Sequence, residues 1–137
     1  AGFILREGSI PDPVAAAVDL TRQAGACRDP ARLECDLRER EALGATPVNP
    51  RLALLHGKSR GAGKPFLGGL RDRATGHCWL VMIVPDDAPA EVREVFSAVS
   101  VALIEHPRFS EALETGSEET VRQVLAEVLY PLAAGLP

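Results

Sequence analysis

The sequence predicts one α/β domain over residues 1–137, in which a mixed central sheet of about four to five strands is flanked by helices. Its 137 residues suit a single domain with a sizeable core. Hydrophobic residues make up 46% of the chain and aromatic residues 4%, so leucine, valine, isoleucine and alanine must build that core. Strand-like and helix-like patterns alternate along the chain, which favours layers of helices on a sheet.

Two helices in the first half have the same start signal. Asp12 and Asp29 are each followed by proline, which pairs a good N-cap residue with the residue preferred at the first helical position. Pro47 and Pro50 exclude a helix between residues 45 and 51. The predicted elements of this half are a strand at 3–5, a helix ending at Gly25, a helix ending at Gly44 and a buried strand at 52–55.

The second half contains the clearest strand, an apolar run at 78–84 that is typical of a strand buried on both faces. Before it we predict a loop at 57–63, a short strand at 65–70 that Gly68-Gly69 weakens or bulges, and a charged turn at 71–76. After it we predict three helices: one capped by Asp86-Asp87 and broken by Pro107, one ending at Gly116, and one capped by Ser117 and ending before Pro131.

Composition excludes several classes of function. A net charge of −4 argues against a non-specific nucleic-acid binder. Cys27, Cys35 and Cys78 are odd in number and lack C-x-x-C spacing, which argues against a disulfide framework and a zinc site and favours a reduced, cytoplasmic setting. We expect no cofactor. The longest apolar run falls far short of the roughly 20 residues of a membrane span. No signal peptide is visible, and the first residue is not methionine, as in a piece of a longer chain.

His56 is the histidine with the most suggestive setting. It follows the apolar run at 52–55 and precedes Gly57, so we predict that it lies where a buried strand emerges into a glycine-bearing loop. His77 enters the strong strand, and His106 lies at a helix end, where an imidazole interacts favourably with the helix dipole. The structural alternative is that His56 merely ends a strand.

The chemistry that suits such a histidine is phosphoryl transfer. Neutral imidazole is nucleophilic near pH 7, and the transfer needs mainly in-line placement and donors for the phosphoryl oxygens. Arginine matches those oxygens by its fork geometry, and backbone N–H groups beside glycine add further donors. The candidates near in sequence are Arg40, Thr46, Gly57, Lys58 and Ser59. The alternative for each is an ordinary helix-face or loop residue.

The segment from Arg40 to Thr46, with His56-Gly57 beginning ten positions beyond Thr46, resembles the EIIA domain of the bacterial phosphotransferase system. The branch is the fructose/mannitol and nitrogen-regulatory type, whose pattern is R-E-x-x-x-S-T-G-I-G-x-G-I-A-I-P-H-G. The similarity extends, less specifically, over nearly the whole chain. It implies a mixed sheet flanked by helices, a phosphoaccepting His56 with Arg40 near the phosphate, and a histidine phosphocarrier protein or a regulated target protein as partner.

The chain departs from that pattern at several positions. Pro47, Asn49 and Arg51 stand where the family has glycine, and Leu55 replaces the proline before the histidine. Since these residues resist the backbone conformations of glycine, we expect the loop on the phosphate side to take another path. The family's second histidine aligns with Glu91 or Val92, and neither can assist a phosphoryl group. The departures disfavour sugar transport and indicate a divergent member.

Three hypotheses follow from the sequence. The chain is a phosphohistidine phosphotransferase component or signalling module that accepts phosphate on His56, or it is a non-catalytic EIIA-fold module that binds a partner or a ligand, as part of a larger transporter or regulator. The third hypothesis is an unrelated small-molecule-binding α/β domain. The retained spacing of Arg40, Glu41, Thr46 and His56 disfavours the third.

Overall fold

The computed structural model describes residues 3–134, and the burial of side chains in residues 3–129. Over this range the elements are β1 (Phe3–Gly8), α1 (Pro13–Gln23), α2 (Pro30–Ala42), β2 (Thr46–Pro47), β3 (Leu52–Ser59), β4 (Phe66–Asp72), β5 (Cys78–Pro85), α3 (Ala90–Glu105), α4 (Pro107–Thr115) and α5 (Glu118–Ala134). The predicted α/β class is confirmed. Within residues 3–134, no helix combines the length and apolar character that crossing a membrane requires.

The sheet is mixed, as the sequence predicts, and its strand order is β1-β4-β5-β3-β2. β3 runs parallel to β5 and β1 parallel to β4, whereas β4 is antiparallel to β5 and β2 antiparallel to β3. One core cluster joins one face of the sheet to α3, α4 and α5, and a second joins the other face to α1 and α2. The central strand β5 is buried on both faces, as its continuous apolar run predicts.

The starts of the first two helices agree with the sequence. Asp12 accepts a hydrogen bond from the backbone N–H of Ala15, and Asp29 accepts one from that of Arg32, each at 3.2 Å. The predicted Asp86-Asp87 cap is wrong, because α3 begins later, after Pro89, without a side-chain cap. The predicted end of the last helix is also wrong, because α5 runs to Ala134, past the proline in its final turns.

The most consequential correction concerns β3. The sequence predicts a strand that ends at His56 and a loop from Gly57, but β3 continues to Ser59. The strand pairs with β5 from Leu52 to Ser59 without interruption. Gly57 suits this position because a Cβ there would lie 3.0 Å from the Cδ2 atom of Leu37 on α2. His56 therefore lies inside a paired strand.

A second correction concerns the predicted charged turn at 71–76. Arg71 belongs to β4 and is only 8% exposed. Its guanidinium donates to the carbonyl of Leu113 at 2.6 Å and to that of Gly116 at 2.9 Å, so it ties the carboxyl end of α4 to the sheet. Of the two alternatives for Gly68-Gly69, the bulge is wrong, since β4 pairs regularly with β5 through both glycines.

Candidate functional site

The candidate site is a cleft of about 600 Å³ between the carboxyl-terminal halves of β3 and β5 and one side of α3. Side chains alternate along a strand, so His56 and Lys58 share the face of β3 that carries the buried Leu54, and Gly57 and Ser59 lie on the other face. The lining residues are Arg40, His56, Gly57, Lys58, Met82, Val84, Arg93, Phe96, Ser97, Ser100 and Val101.

Arg40 reaches the cleft from the last turn of α2. Its Nη2 atom donates to the Oγ1 atom of Thr46 at 3.1 Å, and its Nη1 atom donates to the carbonyl of Gly44 at 3.3 Å. Thr46 is itself fixed in β2, where it pairs with Leu54 of β3. These bonds orient the Arg40 guanidinium. The three residues that the sequence motif singles out lie close together in the fold, since Arg40 contacts Thr46 and lines the same cleft as His56.

His56 is half-buried, and the electrostatics of the cleft favour its neutral form. Burial lowers the pKa of His56 below its usual value, and the positive charge of Arg40 lowers it further, while the backbone of Leu54 acts weakly in the opposite direction. The Nδ1 atom is buried and has no partner in good hydrogen-bonding geometry among the described residues. A neutral imidazole is the form that attacks an electrophile.

The other candidates from the sequence divide into two groups. Lys58 is exposed and lines the cleft beside His56, together with the backbone of Gly57. Ser59 is only 2% exposed, and its Oγ atom accepts a hydrogen bond from the backbone N–H of Gly61 at 2.9 Å. The structure therefore brings Arg40, Lys58 and His56 together in the cleft, whereas the Ser59 hydroxyl lies outside it and binds the backbone of the turn that follows β3.

The segment that joins β2 to β3 is a tight hairpin whose N–H groups are all used internally. Val48 and Asn49 both donate to the carbonyl of Leu52, at 2.8 and 3.1 Å. The Asn49 side chain accepts from the N–H groups of Arg51 and Leu52, each at 2.9 Å. The two prolines of this segment, Pro47 and Pro50, have no N–H group. Residues 47–52 thus offer no free backbone donor to an anion.

The wall of the cleft that α3 forms was not predicted from the sequence. Arg93, Phe96, Ser97, Ser100 and Val101 all reach the cleft from α3, whereas the positions aligned with the second histidine, Glu91 and Val92, do not line it. Positions 93, 97, 100 and 101 are spaced by four, seven and eight residues, which is the spacing of one helix face. That periodicity was available in the sequence, but the more strongly apolar face of α3 obscured it.

The cleft is positively charged. Arg40, Lys58 and Arg93 line it, its lining contains no aspartate or glutamate, and none of the three cations forms an ion pair with a described residue. Among residues 3–134 no cluster of histidine, cysteine or acidic side chains could hold a metal ion. The donor set suits an anion.

Comparison with known structures identifies the fold. Over 89% of this chain and 92% of the other, the protein is similar to the nitrogen regulatory protein IIA-Ntr from Neisseria meningitidis, with a TM-score of 0.68 and 26% identity. It is also similar to IIA mannitol from Escherichia coli, over 90% of this chain and 95% of the other, with a TM-score of 0.62 and 18% identity. No family model and no curated protein matches the sequence significantly. The chain has an EIIA-like fold of the phosphotransferase-system type.

Proposed function

We propose that this EIIA-like domain accepts a phosphoryl group on His56 from a histidine phosphocarrier protein and regulates a partner protein in the cytoplasm. The observation that carries the proposal is the setting of His56, a half-buried imidazole whose neutral form is favoured, in a cleft that Arg40 and Lys58 line without a carboxylate. The likeness to a nitrogen regulatory IIA protein supports a regulatory output.

The transfer exchanges one nitrogen–phosphorus bond for another. Because Nδ1 is buried, Nε2 is the ring nitrogen of His56 that a donor can reach. Its lone pair attacks phosphorus, the bond from phosphorus to the donor imidazole breaks, and the electron pair of that bond leaves with the donor ring. The donor ring takes up a proton from solvent as it leaves, and the phosphorylated His56 ring keeps its single proton on Nδ1. The protein supplies position and charge for this step.

Each cation has a distinct role in this proposal. The Arg40 guanidinium, held by Thr46 at 3.1 Å, presents its remaining N–H groups to the phosphoryl oxygens in a fixed orientation. Lys58 is exposed and contributes a mobile positive charge. Gly57 contributes only its backbone to the cleft, because a side chain at this position would point towards Leu37 on the other face of β3. Ser59 takes no part, because its hydroxyl is buried on the other face.

The alternative is a non-catalytic EIIA-fold module that binds a partner or a ligand without phosphorylation. One observation favours it, namely that residues 47–52 hold no free backbone N–H for a phosphoryl oxygen. The two functions differ in a single measurable step, the formation of phosphohistidine at position 56.

The test is incubation of the protein with a histidine phosphocarrier protein, its phosphoenolpyruvate-driven kinase and phosphoenolpyruvate, followed by intact-mass measurement. We expect a mass gain of one phosphoryl group in the native protein. The gain is lost in His56→Gln and retained in His106→Gln, a matched control at an exposed histidine outside the cleft.

Two outcomes would overturn the proposal. The first is no gain under conditions in which a known EIIA acceptor is fully labelled, which would establish the non-catalytic alternative. The second is a gain that persists in His56→Gln, which would assign the acceptor to another residue.

A further inference from the structure

We infer that the His56 cleft binds a small organic anion, a molecule that joins one anionic group to an apolar or aromatic body. The binding itself is independent of phosphorylation. Its consequence, competition with the phosphoryl donor for His56, rests on the proposed function.

The charge of the cleft is the first argument. Arg93 lies in the first turn of α3, where the helix dipole disfavours a cation. It pairs with no described carboxylate, and it lines the cleft together with Arg40 and Lys58, which form no ion pair with a described residue either. Arg40 and Lys58 also line a neighbouring pocket with Asp36, Glu39 and Asp86. Since the lining of the His56 cleft itself contains three cations and no carboxylate, an anionic ligand there would neutralise positive charge.

The apolar wall is the second argument. Beyond the cations, the apolar wall of the cleft consists of Val84 of β5 and of Phe96 and Val101 of α3, and the buried Met82 also lines it. Val101 is 51% exposed, although it is a large aliphatic residue. A phosphoryl group on His56 accounts for the cations but leaves this wall uncovered. An apolar body attached to the anion would cover it, and removal of that surface from water would contribute to affinity.

The size and the remaining polar groups agree with such a ligand. About 600 Å³ lies within the range of roughly 300–1,000 Å³ that small-molecule sites occupy. The Ser100 hydroxyl is bonded to the carbonyl of Phe96 at 3.1 Å, so it is already satisfied. The Ser97 hydroxyl is exposed, makes no hydrogen bond with a described residue and is free to bind a ligand.

The test uses phenyl phosphate as the probe, with inorganic phosphate and phenol as its two halves. Binding to the full chain is measured by calorimetry and by NMR shift perturbation, on protein that has never met a phosphoryl donor. We expect phenyl phosphate to bind about ten-fold or more tightly than either half, because only the whole molecule contacts both the cations and the apolar wall.

Matched variants assign the binding to this cleft. Arg93→Gln should weaken phenyl phosphate binding about ten-fold, whereas Arg108→Gln, at an exposed arginine outside the cleft, should leave it unchanged. Val101→Ser should weaken phenyl phosphate but not inorganic phosphate. Ile104→Ser is the control, since Ile104 is 75% exposed on the same helix and does not line the cleft.

Phenyl phosphate that binds no more tightly than inorganic phosphate or phenol would overturn the inference, and so would equal losses in Val101→Ser and Ile104→Ser. The two proposals fail separately. If His56 takes no phosphoryl group but phenyl phosphate binds as described, only the proposed function fails. If His56 is phosphorylated and phenyl phosphate does not bind, only this inference fails. Where both hold, phenyl phosphate slows phosphorylation of His56.

Discussion

Gly61 holds the end of β3 against the start of α2, and its replacement by alanine should destabilise the protein. The Gly61 carbonyl accepts from the N–H groups of Arg28 at 2.7 Å and Asp29 at 3.0 Å. A Cβ at position 61 would lie 2.5 Å from the carbonyl oxygen of Asp29 and 2.5 Å from the nitrogen of Leu33. These are backbone atoms of the helix that carries Arg40, and no change of rotamer relieves the contact.

The magnitude follows from two opposing terms. Overpacking of this kind costs about 1–3 kcal/mol, and the contact with helix backbone places Gly61→Ala at the upper end. Alanine also lowers the conformational entropy of the unfolded chain, which raises the free energy of unfolding by about 0.4–1 kcal/mol. The net loss in the free energy of unfolding is therefore about 2 kcal/mol. Gly63→Ala is the matched control, because its Cβ would meet only Ala26 at 3.6 Å and Arg28 at 3.8 Å.

The assay is urea unfolding followed by circular dichroism. With a denaturant slope of roughly 2 kcal/mol per molar, the midpoint of Gly61→Ala should fall by about 1 M. The midpoint of Gly63→Ala should stay at or slightly above that of the native protein. Equal midpoints for the two variants would refute this prediction, because they would mean that the chain around position 61 can move away from α2 without a loss in the free energy of unfolding.

Two further predictions concern charged groups. Arg71→Met should lower the free energy of unfolding by about 2–4 kcal/mol in the same assay, because it leaves carbonyls at the end of α4 without their donor. The control, Arg73→Met, changes a side chain that is 75% exposed and should alter the free energy of unfolding by about 0.5 kcal/mol or less. Equal losses in the two variants would contradict the role of Arg71. Arg40→Gln should raise the pKa of His56 in an NMR titration, because it removes a positive charge that opposes protonation; an unchanged or lower pKa would contradict this. The pKa of His56 is lower in the folded state than the unfolded value of about 6.5. The free energy of unfolding should therefore fall as the pH decreases from about 6.5 towards the folded pKa. This fall should be smaller in Arg40→Gln, because the two pKa values of His56 are then closer together.

The parts of the fold that the sequence predicted are those with local causes. Asp12 and Asp29 cap their helices through bonds to residues three positions on, and Gly25 and Gly44 follow those helices with positive φ. The run at 78–84 needs apolar side chains on both faces wherever the strand lies in the sheet. Such signals depend on neighbours in sequence, so they can be recognised without knowing the tertiary structure.

The errors at β3 and Arg71, and the missed Arg93, have non-local causes. β3 extends beyond His56 because β5 offers pairing partners as far as Pro85, and no local pattern encodes that length. Arg71 is buried because the end of α4, more than forty residues later, presents carbonyls to it. In the same way, the motif spacing drew attention to Arg40 and His56, but not to Arg93. Arg93 lines the cleft because the packing of the core fixes which face of α3 is turned towards it.

The replaced glycines and the position of Arg93 both bear on how the cleft would hold an anion. A glycine-rich loop can present backbone N–H groups to a phosphoryl group, but here the hairpin at 47–52 uses all of its N–H groups internally. In the proposed function, an anion beside His56 is then stabilised mainly by Arg40, Lys58 and Arg93. Such cations attract any anion that reaches them, and only the apolar wall beyond them distinguishes one anion from another. A site of this kind is suited to phosphorylation and to competition by a ligand at the same histidine.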